Sequence, residues 1–134
     1  MLHKARFTTL LYLAGIVTII VTALPASAQA ADPAQEAATG AVHAGLAAQA
    51  ATIEQLHMHL HHTVNCLVGP TGQGFDAKEA NPCQKLGNGA IPDTTDSATR
   101  AKLTAALAHA QAGLKSDDLA AAKKAATEAQ AALK

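Results

Sequence analysis

The chain has 134 residues, 49% hydrophobic and 15% charged, with ten basic against ten acidic side chains. That length suits a single small domain, and the even charge offers no basic stripe to neutralise nucleic-acid phosphates. Aromatic residues make up only 2% of the chain, so platforms for stacking bases or sugars are excluded as well.

The first residues read as an export signal. His3, Lys4 and Arg6 give a basic start, Leu10 to Leu24 is almost uninterruptedly apolar, and Pro25-Ala26-Ser27-Ala28 ends in the small-x-small pattern of a cleavage site. These features predict a signal peptide over residues 1–28, cleaved after Ala28, and a periplasmic or secreted helical domain over 29–134. An uncleaved anchor is the alternative, since the apolar run is long for a signal. Cleavage leaves eight basic against ten acidic residues and Phe75 as the only aromatic. No later segment is apolar enough to span a bilayer, so neither membrane nor nucleic acid is expected as a partner of the mature chain.

Asp32-Pro33-Ala34-Gln35 is a helix start: Asp32 can cap, Pro33 suits the first helical position, and Gln35 completes a capping box. One long helix is predicted from Pro33 to about Asn65, weakened by Gly40 and Gly45, each costing about 1 kcal/mol relative to Ala. Val42, Leu46, Ile53, Leu56, Leu60, Val64 and Leu67 recur at three- and four-residue steps and define its apolar stripe.

From Cys66 to Asp96, Gly and Pro follow one another too closely for regular structure, so a long loop is predicted over 66–96. Two cysteines in an exported chain usually pair. A Cys66–Cys83 disulfide would close a loop worth about 3 kcal/mol. Gly69 to Gly74 lacks the Gly-Lys-Ser/Thr ending and the preceding strand of a phosphate loop. Covalent haem attachment is excluded by the absence of C-x-x-C-H.

Asp96 caps a second helix from Ser97 to about Leu114, with Leu103, Leu107, Ala110 and Leu114 as its apolar line. Ser116-Asp117-Asp118 restarts a third at once, giving a C-terminal αα-hairpin with Leu119, Ala122, Ala126, Ala129 and Leu133 facing inward. The fold class is therefore all-α, a small helical bundle with a thin alanine-rich core. Dimerisation is one way for such three-helix chains to complete it.

Chemistry concentrates in His57-Met58-His59-Leu60-His61-His62, four of the seven histidines in six positions. On a helix His57 and His61 stand one turn apart on one face, the spacing with which H-E-x-x-H motifs hold zinc, although Met58 replaces the catalytic Glu. The predicted metal ligands are His57 and His61, with Glu54, His62 or His109 completing the shell. His59 is directed to the opposite side of the helix. His43, 14 residues before His57 and roughly 21 Å along a straight helix, can share no ion with it and is left to a second chain or a separate site. Imidazole with a nearby carboxylate suits Cu, Zn or Ni.

The signal, the alanine-rich helical body, the histidines and Leu107-Ala108-His109-Ala110 in the hairpin resemble the small metal-binding proteins of bacterial envelopes. Those are helical bundles that chelate divalent metals. The chain departs from that pattern in its lone hairpin histidine and its disulfide loop. The leading expectation is a non-catalytic periplasmic protein that sequesters or buffers a divalent transition metal. The alternatives are a b-type haem protein with His57 or His61 as axial ligand, at a dimer interface, and an envelope adaptor or structural module. No Ser/His/Asp or paired-carboxylate constellation supports an enzyme.

Overall fold

The computed structural model describes residues 30–134. The signal peptide and cleavage site predicted from the sequence lie outside the described residues. These residues are all-helical: α1 Pro33–Gln49, α2 Ile53–Val68, the single turn α3 Ala90–Asp93, α4 Ser97–Leu114 and α5 Leu119–Ala132. None of these helices is long and apolar enough to cross a membrane.

The one long helix predicted over Pro33–Asn65 is two helices. Ala50 takes extended backbone (φ −58°, ψ 144°), and Thr52 follows in a β conformation as the N-cap of α2. Thr52 Oγ1 accepts from Gln55 N at 3.3 Å, and Gln55 Oε1 accepts from Ala51 N at 3.2 Å. The two bonds make a shifted capping box on Thr52-Ile53-Glu54-Gln55, in which the return bond reaches the N–H of Ala51 rather than that of Thr52, and they offset the helical bonds lost at the break. The other starts follow the sequence: Asp32, Asp96 and Asp118 each accept from the backbone N–H three residues on.

The break folds α2 back along α1, and α4 and α5 close the ring, so that α1 packs on α2 and α5 while α4 packs on the same two. Neighbours run antiparallel. His57 near the start of α2 meets Ser116 beyond the end of α4, and Gly40 and Gly45 of α1 lie beside Leu133 and Gln130. One chain thus supplies four helices around one core, which removes the reason for expecting a second copy to complete the bundle.

Leu56, Leu60, Val64 and Leu67 carry the core from α2, and alanines of α1, α4 and α5 pack around them. Each of these large side chains contributes about 1.5–3 kcal/mol by its burial. The stripe predicted for a continuous helix fails on α1. Val42 and Leu46 are 60% and 43% exposed, while Glu36, Gly40, Ala44 and Ala47 face inward. Once the helix is broken, each half sets its own rotation about the core.

The Cys66–Cys83 disulfide is present. It ties the 69–96 loop to α2 together with Asn65, a fully buried amide. Asn65 Nδ2 donates to Asp76 O at 2.9 Å and Ala80 O at 3.1 Å, and its Oδ1 accepts from Asp76 N at 2.9 Å. Three bonds to the loop's backbone make it an ordered flap over the outer side of α2.

Candidate metal centre

The α1–α2 interface is set by Thr63, a fully buried hydroxyl that donates to Gly40 O at 3.2 Å and to His59 O at 3.1 Å. A Cβ on Gly40 would stand 3.7 Å from that of Cys66, so the backbones run close here. In an antiparallel pair, the residue a turn after Gly40 meets the residue a turn before Thr63. Those residues are His43 and His59. His62, three positions after His59, shares its face.

The three imidazoles form one cluster. His43 Nδ1 and His59 Nδ1 are 3.4 Å apart. The His43 and His62 ring centres lie 4.9 Å apart and nearly perpendicular, and those of His59 and His62 5.9 Å apart. Each ring offers a nitrogen within 4.8 Å of the other two, and all three residues are half-buried. The group lies close enough to bind one metal ion. On a tetrahedral ion with M–N bonds of about 2.0–2.1 Å, two ligand nitrogens are roughly 3.3–3.4 Å apart. The His43–His59 separation matches that edge.

Electrostatics keep the cluster ready to coordinate. Burial, followed by the neighbouring His62 and His59, pushes His43 down to about 4. His62 is also lowered, by burial first, with the Glu79 carboxylate pulling the other way. Both rings are therefore neutral at pH 7, the form that binds metal. His62 Nε2 stands 3.7 Å from Glu79 Oε2, and its Nδ1 is buried with no protein partner. Glu79 comes from the loop that Asn65 and the disulfide hold.

Of the residues predicted as ligands, His62 alone joins this cluster. His57 Nε2 donates to Ser116 O at 3.0 Å and ties α2 to the α4–α5 turn. His61 Nδ1 faces Asp76 Oδ2 at 3.4 Å, and His109 Nδ1 faces Glu128 Oε2 at 3.2 Å on the far side of the bundle. Glu54 is exposed in the first turn of α2. His57 and His61 do share a face, but it is the one turned toward α4 and the loop. His59 and His43 replace them, and both follow from the break at Ala50 to Thr52. The capping box was the signal in the sequence that would have revealed it.

No family model, curated protein or solved structure matches the chain.

Proposed function

We propose that this protein is a non-catalytic binder of a divalent transition metal, held by His43, His59 and His62, that sequesters or buffers the ion in the periplasm. The observation that carries the reading is the convergence of three imidazole nitrogens from two helices, one pair at the edge length of a tetrahedral site. A three-imidazole set suits Zn(II), Cu(II) or Ni(II), and both cysteines of the chain are committed to the disulfide, so no thiolate competes. Glu79 behind His62 supplies the carboxylate that commonly supports a ligating histidine. The export signal of residues 1–28 is the ground for the periplasmic location.

Haem is a poor fit here. Ring centres 4.9–5.9 Å apart leave no room for a macrocycle between them, and His57 and His61, the expected axial ligands, face Ser116 and Asp76.

Isothermal titration of the purified protein with Zn(II), Cu(II) and Ni(II) tests the assignment. One high-affinity site is expected, lost in the His43→Ala, His59→Ala double variant and retained in the His57→Ala, His61→Ala double variant. The reverse pattern, or unchanged affinity in both, would remove it. Sequencing the N-terminus of protein recovered from periplasmic extract checks cleavage after Ala28.

A further inference from the structure

A second site lies between α2, α4 and the loop, and none of the three clustered histidines lines it. It is a groove of about 940 Å³, near the upper end of small-molecule pockets. Val64 and Val68 of α2, Ile91 and Pro92 of α3, and Leu107 and Leu114 of α4 supply its apolar surface. Leu107, Leu114 and Ile91 are only partly buried, so aliphatic surface that could have closed into the core stays open to the groove. The loop and α4 come together at Gly74, where a Cβ would stand 3.2 Å from Gln111 Nε2 and 3.8 Å from Val64 Cγ1. Gly74 has φ +94°, a conformation that side chains rarely adopt. The wall at this point is bare backbone.

Charge in the groove has one sign. Arg100 and Lys115 line it, and no acidic residue does. Arg100 is held in place: its Nη2 donates to Thr94 O, and its Nε stands 3.4 Å from Ile91 O. A guanidinium has five N–H donors, so donors remain for a bidentate carboxylate. Lys115 lies 15 residues further on, roughly 22 Å along α4, too far to share one small headgroup. From Arg100, the apolar face continues through Leu107 to Leu114 on the same side of the helix.

We infer that this groove binds a small amphiphilic anion, a free aliphatic monocarboxylate, with its headgroup on Arg100 and its chain along Val64, Val68 and Leu107. A fixed cation at one end of an open aliphatic floor discriminates such a ligand from a neutral chain by the charge-assisted pair and from a polar anion by chain burial.

Sodium decanoate and decan-1-ol, kept below their aggregation limits, are the probes, titrated into EDTA-treated protein by calorimetry and amide NMR. Decanoate should saturably shift the amides of Val64, Val68 and Leu107 and bind at least about tenfold more tightly than decanol. Arg100→Gln should erase that difference while keeping decanol binding, and Gln111→Trp, which fills the groove, should block both ligands. Lack of saturable shifts at those amides, equal affinity for the alcohol, or decanoate binding that survives Gln111→Trp would overturn the site. Loss of both ligands in Arg100→Gln would overturn the headgroup assignment. Binding of Zn(II) to the histidine cluster should leave the decanoate affinity unchanged.

Discussion

His43 Nδ1 and His59 Nδ1 face each other at 3.4 Å, although 16 positions separate them in the chain. Such a pair tolerates one shared proton or one metal ion, but not two charged rings. The burial that lowers His43 to about 4 has a direct consequence for the metal-free protein. Above the ordinary histidine value near 6.5, folded and unfolded forms are both neutral there, and nothing is lost. As pH falls from about 6.5 to 4, the unfolded chain takes up a proton that the fold refuses, so stability declines through that window and levels off below it. His62 is shifted in the same direction. Urea midpoints measured in EDTA should fall between pH 7.5 and 4.5, and His43→Gln should flatten the slope.

Glu79 tests whether the loop serves the site. Its carboxylate lies 3.7 Å from His62 Nε2, beyond direct hydrogen bonding, and acts on the ring through charge. Glu79→Gln should weaken metal binding about tenfold, the lower end of what a supporting carboxylate contributes. Asp76 makes the same type of contact with His61, which is not a ligand in this arrangement. Asp76→Asn should leave affinity unchanged, and calorimetry on the two variants side by side separates specific support from general negative charge.

The two C-terminal helices, the disulfide and the presence of a histidine centre were all legible in the residues. Asp96 and Asp118 announce helix starts by side-chain chemistry, and Cys66 and Cys83 had no other partners in the chain. The identity of the clustered histidines was not legible, because the apolar spacing runs on through Ala50-Ala51-Thr52 as in one continuous helix. Alanine has the highest helix propensity, and no Gly or Pro marks the break. What ends α1 is the gain from antiparallel packing together with the Thr52–Gln55 capping box, a tertiary preference written in only two polar residues. Moving that turn changes which histidines meet, and it brings His43 and His59 together with His62. The groove at Arg100 escaped for a similar reason, since its walls come from three elements and a loop.

Two helical glycines should respond in opposite ways to alanine. A Cβ on Gly40 would find only ordinary contacts, at 3.7 Å and beyond, so Gly40→Ala should gain up to about 1 kcal/mol from helix propensity. A Cβ on Gly113 would lie 2.5 Å from Leu60 Cδ1, so the fully buried Leu60 side chain would have to shift within the core. Gly113→Ala should therefore cost about 1–3 kcal/mol through overpacking. Chemical denaturation of both variants checks the difference, which propensity alone would make equal.

Glu36 carries a dependence of the opposite sign to His43. It is fully buried in α1. Its Oε1 accepts from Gly89 N at 2.9 Å, and its Oε2 has no protein donor. Burial raises its pKa above the ordinary carboxyl value, Asp93 and Asp32 add to the rise, and the Gly89 N–H opposes it. The folded protein therefore holds the proton more tightly than the unfolded chain. Stability is fully present below the unfolded value near 4.5 and is lost as pH rises through the folded one. An amide at this position keeps the acceptor for Gly89 and presents N–H donors to the nearby carboxylates without carrying charge. Glu36→Gln should therefore be nearly neutral at pH 4 and stabilising by about 1–2 kcal/mol at pH 8. Denaturation at the two pH values, with EDTA present, is the measurement. A variant equally stable with the native chain at pH 8 would mean that Glu36 is ionised in the fold without cost.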